Sequence, residues 1–406
     1  MNRAITLSIV DQGILSAQSI VVSLLLIRFT DAEAVGRFAL AMSAFFLVLT
    51  AQNALVGTPL MTRVFGRSAR EQAAILGVVC GFDLWIVAAG ALASAAVLAM
   101  IGFDTVLIAS ALGLVVSGLV RELARSVAIA TGDMRACLAT DAGAVAVSAP
   151  ALAMLWGHVA PEAACLLAMA AGNAAGVALF GPRLHIAARR MAEAARGYRA
   201  YFDFTRWSLV AAIADEIQNR SVLFLVEALR GIAATGIIQV GRLVISPLSL
   251  VAMAWGKVTM PRMAAHVRNG ERARAVAIMA ASMGLIASLV IVYCVPLYFG
   301  WSLLEEHLFR GRYPGISSIV LGWVVFSLVA EPLRPLAWLF IAMERLRELA
   351  LVTMTSAAGA LVLTLGLALP VPLHAVLLAL ALVQVAFAVM LARLAFARTH
   401  LREVAT

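Results

Sequence analysis

The sequence contains little charge and almost no lysine. Of its 406 residues only 13% are Asp, Glu, Lys or Arg, whereas 63% are hydrophobic. A soluble chain of this length needs far more polar surface than that. Lys257 is the only lysine, so arginine carries almost all of the basic charge behind the net +9. The composition excludes an ordinary soluble domain and indicates a membrane protein.

The sequence also lacks the motifs on which most chemistry depends. It has no H-x-x-H spacing, no glycine-rich phosphate loop, no nucleophile motif and no close pair of catalytic carboxylates. The four cysteines are scattered without paired spacing, as small core residues are. The basic residues are not interleaved with aromatic ones. We therefore expect no enzymatic activity, no cofactor, no metal site and no nucleic-acid partner.

Long apolar segments dominate what is present. About twelve of them are long enough to cross a bilayer, and they show no strand-like alternation. The sequence thus predicts an all-α polytopic membrane protein. The predicted spans are residues 5–28, 37–62, 73–100, 104–125, 138–157, 161–181, 205–229, 235–260, 275–300, 316–340, 347–369 and 373–395.

Arginine is concentrated in alternate connections between these spans. One side of the membrane would carry most of the arginines, including five between residues 183 and 199. Basic loops remain in the cytoplasm during insertion. This asymmetry predicts an even number of spans, with both termini on the cytoplasmic side of a bacterial inner membrane.

Short sequence repeats relate the two halves of the chain. VGRF at 35–38 returns as VGRL at 240–243, and VVSGLVRELAR at 115–125 returns as VVFSLVAEPLR at 324–334. Six spans separate these equivalents, so the halves share one orientation. We predict two six-helix lobes related by a pseudo-twofold axis along the membrane normal. The predicted division is an N-terminal lobe (1–181), a basic amphipathic linker (182–204), a C-terminal lobe (205–396) and a cytoplasmic tail (397–406).

The first and seventh spans carry polar faces that lipid would reject. Asp11, Gln12 and Gln18 lie on one half of the first span. The seventh span carries the polar residues Asp215, Glu216, Asn219 and Arg220. We expect both faces to line a central cavity. Asp11, Gln12 and Gln18 could bind sugar hydroxyls, or Asp11 could carry a coupling proton. Alternatively, these three residues form a polar clamp between helices.

Further charged residues lie inside other spans. Glu216 and Arg220 have the i,i+4 spacing of an ion pair, so Arg220 either neutralises Glu216 or holds a phosphate. Arg242 and Lys257 could compensate a diphosphate, although Lys257 could instead snorkel to the interface.

The repeated E-x-x-R motifs and two single carboxylates complete the set of candidates. Glu122 with Arg125, and Glu331 with Arg334, are predicted to be structural latch or gate pairs. Asp83 and Asp141 are single carboxylates within spans, and either could serve ion coupling.

Two segments of the first seventy residues resemble a known family. DQGILSAQSIVVSLLLIRFTDAEAVGRFALAMS and LTAQNALVGTPLMT are similar to the first two helices of bacterial O-antigen-type polysaccharide flippases. These belong to the multidrug/oligosaccharidyl-lipid/polysaccharide (MOP) exporter superfamily. The matching elements are the Asp11 and Gln12 pair, residues 36–40, and residues 52–59, which include the candidate cavity residue Asn53.

The resemblance implies a function as well as a fold. It implies two lobes around a V-shaped cavity, alternating access, a sugar headgroup in the cavity and a polyprenyl tail in lipid. It also implies cationic residues that hold the lipid pyrophosphate, for which this chain offers Arg220, Arg242 and Lys257, with Arg37 at the outer end of the second helix.

We therefore expect a transporter that flips polyprenyl-pyrophosphate-linked oligosaccharide across the inner membrane for surface polysaccharide biosynthesis, as in O-antigen or exopolysaccharide pathways. Its partners would be the lipid-linked oligosaccharide, membrane lipid and the polysaccharide polymerase machinery. One alternative is an ion-coupled drug or small-cation antiporter of the same superfamily. Another is a membrane polymerase or ligase, with its chemistry in the loop at 301–315.

Overall fold

The computed structural model describes residues 2–64, 68–181 and 191–403. In these ranges the chain is almost entirely helical, and its only β-pairing is an isolated bridge between Trp156 and Val159. Ten of the described helices are long and apolar enough to cross a membrane. The predicted all-α, multi-pass membrane architecture is confirmed.

The first half of the chain forms seven α-helices and one π-helical turn. Their bounds are α1 (Asn2–Phe29), α2 (Ala32–Gln52), a π-turn (Asn53–Gly57), α3 (Thr58–Arg63), α4 (Ala69–Met100), α5 (Thr105–Thr131), α6 (Met134–Leu155) and α7 (Pro161–Phe180).

The second half begins with a long helix and contains a second π-turn. Its elements are α8 (Met191–Arg230), α9 (Ile232–Arg268), α10 (Arg272–Phe299), α11 (Trp301–Leu304), a π-turn (Glu305–Phe309), α12 (Ile316–Ala342), α13 (Leu346–Leu367) and α14 (Leu373–Glu403).

All twelve predicted spans coincide with helices. Ten of these helices are strongly apolar. The other two, α1 and α8, are the helices that carry the predicted polar faces. Helix α8 is 40 residues long and begins well before the predicted span at 205. The end of the predicted linker is thus the start of α8, while residues 182–190 lie outside the described ranges, as do Arg67 and the last three residues of the tail.

Local sequence explains where several helices begin. Ser68 and Glu71 form a capping box at the start of α4. The side chains of Asp104 and Asp133 accept hydrogen bonds from the backbone N–H groups of Leu107 and Ala136, which caps α5 and α6. These caps place the turns of the chain at the residues where the apolar spans end.

The chain divides into two compact units. Unit 1 comprises Met1–Thr30 and Arg37–Ile213, and unit 2 comprises Asp31–Gly36 and Ala214–Thr406. The boundary lies within α8. The finer division into lobes, linker and tail remains a prediction.

Unit 1 is held together by close packing of α6 on α7, with α5 against both. Gly172 and Gly176 form a G-x-x-x-G motif on α7. A Cβ at Gly172 would lie 2.3 Å from the carbonyl oxygen of Ala144, and one at Gly176 would lie 2.4 Å from that of Thr140. Small residues at this spacing let two membrane helices approach with their backbones nearly in contact.

Unit 2 is organised around α12, which packs against α9, α10, α13 and α14. One part of its core brings Met263, Leu339, Phe340 and Leu391 together, all fully buried. This arrangement leaves the polar residues of α8, α9 and α12 to face one another elsewhere in the unit.

The second span is one continuous helical run, but its α-helical hydrogen-bond pattern is broken at the first π-turn. Pro59 has no backbone N–H and so cannot donate to the carbonyl of Leu55, four residues earlier. The hydroxyl of Tyr198 on α8 donates to that carbonyl instead. The Tyr198 ring also stacks on Phe82 of α4, with ring centroids 3.8 Å apart. The start of α8 is thereby attached to the break within unit 1.

The glycine packing in unit 1 gives a stability prediction. Replacing Gly176 with Ala should lower the free energy of unfolding by about 1–3 kcal/mol, because the new methyl group must push α6 away. Gly77 on α4 is the matched control, since no heavy atom lies within 4 Å of its would-be Cβ. Gly77→Ala should be neutral or stabilising by up to about 1 kcal/mol. Thermal unfolding of the purified proteins measures both, and equal effects would contradict the packing account.

Candidate functional site

Unit 1 contains a buried charge network centred on Arg125 of α5. Its guanidinium lies 2.8 Å from a carboxylate oxygen of Asp11 on α1 and 3.1 Å from one of Asp141 on α6. Glu122, one turn earlier on α5, is more distant at 3.7 Å. Arg121 also lies 3.7 Å from Asp141. A single arginine thus joins three helices.

This network changes the interpretation of three predicted residues. Asp11 and Asp141 are fully buried within unit 1, so neither lines an open cavity in this conformation. The predicted latch partner Glu122 is only one of three carboxylates around Arg125. Asp141, predicted as a single carboxylate, is paired with two arginines.

Asp11, Cys137 and Asp141 form a group close enough to share a metal ion. Their ligand atoms lie within 4.8 Å of one another. However, Arg125 and Arg121 already compensate the two carboxylates and would repel a cation. The arrangement therefore favours a structural charge network over a metal site.

A polar clamp occurs in the same form in both units. In unit 1 the side-chain amide of Gln18 on α1 donates to the hydroxyl of Ser148 on α6, at 2.7 Å. In unit 2 the amide of Gln218 on α8 donates to the hydroxyl of Ser356 on α13, at 2.9 Å. Gln18 therefore serves helix packing here, as the clamp alternative predicted. The side chain of Gln12 lies outside the described residues.

Unit 2 contains a polar cleft, and we call it the α12 cleft. Its cavity holds about 50 Å³ of space for water-sized molecules, within a wider empty volume of about 620 Å³ that includes open solvent. The cleft combines amide, hydroxyl, guanidinium, carboxylate and aromatic groups. Its polar and aromatic lining residues are Gln218, Asn219, Arg242, Ser246, Ser249, Trp323, Phe326, Ser327, Glu331, Arg334 and Gln384.

Arg242 on α9 is the central cation of the α12 cleft. Its guanidinium donates to the backbone carbonyl of Asn219 at 3.0 Å and lies over the ring of Trp323, 5.8 Å from the centroid. It makes no ion pair within 4 Å among the described residues, although Asp215 and Glu331 act on it electrostatically. One face of this cation is therefore not covered by a carboxylate.

The orientation of Trp323 follows from local packing. Its indole N–H donates to the carbonyl of Ile238 at 3.0 Å. Gly241, next to Arg242, leaves room for the ring, because a Cβ there would lie 2.9 Å from Trp323 Cδ1. The repeated sequence VGRL thus supplies both the cation and the space beside it.

The second cation of the cleft is fully paired. Glu331 on α12 accepts from Ser249 at 2.8 Å and lies 2.6 Å from the guanidinium of Arg334. The Glu331 side chain is 4% exposed, whereas that of Arg334 is 39% exposed. The predicted pair is formed, and it presents the arginine rather than the carboxylate to solvent.

The polar residues of α8 lie beside the cleft. Glu216 and Arg220 form the ion pair that their i,i+4 spacing predicts. Asp215 is exposed and interacts electrostatically with Arg334 and Arg242. The side-chain amide of Asn219 donates to the carbonyl of Asp215 at 2.9 Å. Because Arg220 is bound to Glu216, Arg242 is the better candidate for a phosphate contact.

Three predicted residues lie elsewhere. Asn53 is exposed at the start of the first π-turn. Asp83 on α4 is buried and bonded to Gln52, and no arginine within the described ranges pairs with it. Lys257 belongs to α9, but its side chain is not among the described residues.

Several cleft residues carry no signal in the sequence. Trp323, Phe326 and Gln384 stand in strongly apolar segments, where nothing marks them as cleft residues. Arg37 on α2, which the resemblance offered as a cation for the pyrophosphate, pairs with the buried Glu162 of α7 at 2.6 Å, and no local spacing signals this contact.

One titrating group lies outside the spans, in the turn between α9 and α10. Hydrogen bonds from His266 and Arg274 hold the pKa of Glu271 below its usual range. The three side chains lie within one short stretch of sequence and are 31%, 37% and 69% exposed, so this cluster serves the turn rather than a binding site.

Comparison with known proteins identifies the fold. No protein-family model and no curated protein sequence matches this chain. The lipid II flippase MurJ, in an inward closed conformation, matches with a TM-score of 0.72 and 11% identity over 95% of this chain and 86% of that one.

Transporters of a second group match similarly. An inward-facing multidrug resistance MATE family transporter of the MOP superfamily gives a TM-score of 0.66 at 12% identity, over 96% of this chain and 94% of that one. The MATE transporter ClbM, solved with Rb⁺, gives 0.56 at 15% identity, over 96% and 92%. The chain thus shares the fold of these transporters, with about twelve membrane helices. The fold that the resemblance in the sequence implies is confirmed; the family and the substrate stay predictions.

The Arg125 network gives a second stability prediction. Arg125→Gln should cost about 3–5 kcal/mol of unfolding free energy, because it leaves buried carboxylates without their cation. Adding Asp141→Asn should restore part of that loss. Arg206→Gln is the control, since the Arg206–Asp203 pair is exposed and should contribute at most about 1 kcal/mol. If Arg125→Gln is as mild as Arg206→Gln in thermal unfolding, the network is not a central element of unit 1.

Proposed function

We propose that this chain is a transporter that flips polyprenyl-diphosphate-linked oligosaccharide across a membrane for surface polysaccharide synthesis. The observation that carries the proposal is Arg242, a cation in a polar cleft with no carboxylate bound to it. The fold is compatible, since one of the matching structures is a lipid II flippase.

The chemistry of the α12 cleft suits an anionic, hydroxylated headgroup. Arginine binds phosphate oxygens through two parallel N–H donors, and its interaction is strengthened away from bulk water. Two guanidinium groups, Arg242 and Arg334, line the cleft with one carboxylate, Glu331. The amides of Gln218 and Gln384 can donate to and accept from sugar hydroxyls.

The remaining parts of the proposal concern the transport cycle. Alternating access would come from movement of the two units, with the polyprenyl tail left in lipid and both termini on the cytoplasmic side of a bacterial inner membrane. Polysaccharide polymerase machinery would take the flipped product. The chemistry is non-hydrolytic, since binding and movement alone accomplish a flip.

An ion-coupled drug or small-cation antiporter is the second candidate. MATE transporters share the fold, and the buried carboxylates described in unit 1, which are Asp11, Asp83, Asp141 and Glu162, are the kind of group that ion coupling needs. Against it, Arg125 already compensates Asp11 and Asp141, and a cationic drug entering the α12 cleft would meet Arg242 and Arg334. The cleft therefore favours an anionic substrate.

The proposal predicts a specific transport defect. The test uses a strain in which the Arg242→Gln variant is the only copy of this protein. Polyprenyl-linked oligosaccharide should accumulate on the cytoplasmic face to ten-fold or more above the wild-type level. The reason is that losing a charged contact of about 1.5–3 kcal/mol weakens headgroup binding by about ten-fold or more. Leaflet-specific labelling of the lipid-linked glycan measures the accumulation, and immunoblotting checks that membrane abundance is unchanged.

Arg274→Gln is the matched control, since Arg274 is an exposed arginine in the first turn of α10. It should leave translocation at wild-type level. Normal translocation by Arg242→Gln would remove the phosphate role. Proton-dependent efflux of a cationic dye, lost in Asp11→Asn but retained in Arg242→Gln, would favour the antiporter instead.

A further inference from the structure

Gln52 and Asp83 form a buried polar pair at the broken part of the second span. Gln52 is the last residue of α2, directly before the first π-turn, and Asp83 lies on α4. The side-chain amide of Gln52 donates to a carboxylate oxygen of Asp83 at 2.8 Å and to the backbone carbonyl of Leu119 on α5 at 2.9 Å. The pair therefore joins three helices of unit 1.

Each side chain retains one acceptor atom without a partner. Gln52 is 1% exposed and Asp83 is 0% exposed. Within the described part of the chain, neither Asp83 Oδ2 nor Gln52 Oε1 receives a hydrogen bond. Both N–H groups of the Gln52 amide are already used. Buried acceptors that lack a donor are costly, so two in one pair indicate that a donor is missing.

Among the described residues, none supplies a cation to this carboxylate. On α4 the titratable neighbour is Cys80, one turn before Asp83. On α8 Tyr198 stacks on Phe82, the residue before Asp83, and its hydroxyl donates to the Leu55 carbonyl. On α5 the arginines 121 and 125 are engaged with Asp11 and Asp141. Asp83 thus differs from the other buried carboxylates of unit 1, which are paired with arginine.

We propose that Asp83 and Gln52 constitute a proton-binding site. A proton from solvent forms an O–H bond at Asp83 Oδ2, and this hydroxyl donates to Gln52 Oε1. The amide of Gln52 continues to donate to Asp83 Oδ1. One proton thereby satisfies both orphaned acceptors and closes an acid–amide pair with two hydrogen bonds.

A proton fits the site better than a metal ion does. The pair offers one free carboxylate oxygen and one amide oxygen, whereas hard cations such as Ca²⁺ require six or more oxygen ligands. A second, independent observation that indicates a functional site is the position of the pair beside a π-turn. π-Turns within membrane helices often mark functional sites, and this one follows Gln52 immediately.

The site links proton binding to the junction of α2 with the first π-turn. With the proton present, Gln52 holds the end of α2 to α4 and α5. Without it, two acceptors oppose each other and this attachment is weaker. Proton release at Asp83 would loosen this junction whichever substrate the chain carries.

Infrared difference spectroscopy of the full-length protein in lipid nanodiscs tests the proposal. At neutral pH we expect a carbonyl stretch of a protonated carboxylic acid that shifts in D₂O and disappears in Asp83→Asn. Glu306→Gln is the control, because Glu306 is exposed in the second π-turn and should leave the band unchanged. A band that persists in Asp83→Asn, or no such band in wild type, would overturn the proposal.

Thermal unfolding of two variants gives an independent test. Asparagine can donate to Gln52 Oε1 and accept from Gln52, so Asp83→Asn should unfold at the wild-type temperature or above. Asp83→Ala removes both bonds and should unfold several degrees lower, or fail to fold. An Asp83→Asn protein as unstable as Asp83→Ala would refute the acid–amide pair.

The same assay distinguishes a metal ion from a proton. Replacing sodium chloride with choline chloride should leave the unfolding temperature of wild type unchanged. Stabilisation by sodium that is lost in Asp83→Asn would mean that the site binds sodium, and the proposal would be wrong. None of these readouts uses transport, so they stand apart from the test of the proposed function.

Discussion

The contact between Arg125 and Asp11 is the interaction on which unit 1 depends. Helix α1 carries a polar half, and an apolar bundle accepts such a helix only where each charge meets a partner. Arg125 provides that partner for Asp11 and also binds Asp141, so α1, α5 and α6 are joined at one point. The close packing of α6 on α7 at Gly172 and Gly176 then completes a rigid bundle around this point.

The two units contain similar polar contacts in different surroundings. Each has a glutamine–serine clamp and an E-x-x-R pair. In unit 1 Arg121 and Arg125 are paired with buried carboxylates, and the result is a closed network. In unit 2 Arg242 lies beside Trp323, with a backbone carbonyl as its only bonded partner among the described residues, and the result is an open cleft.

Sequence reasoning predicted what depends on local pattern. Each of the twelve predicted spans coincides with a helix, and ten of these helices are long and apolar enough to cross a membrane. The i,i+4 spacing predicted the ion pair of Glu216 with Arg220. The E-x-x-R spacing associated Arg125 with Glu122, three residues away. The shortest contact of Arg125, however, is with Asp11, 114 residues away. Helical periodicity assigns a residue to a face but does not identify the helix opposite. For the same reason Trp323 and Gln384 were not found. The break at Pro59 had a visible signal, since a proline inside a span leaves a carbonyl without its donor.

The transport of a lipid-linked glycan is tested most directly by reconstitution. The purified chain would be placed in vesicles containing a fluorescent polyprenyl-diphosphate oligosaccharide, and the share of label accessible to an added membrane-impermeant quencher would be followed over time. The account predicts that label crosses between leaflets in a protein-dependent way and that Arg242→Gln abolishes this movement. A chain that leaves the labelled lipid in its original leaflet, yet exchanges a cationic dye against a proton gradient, would contradict it.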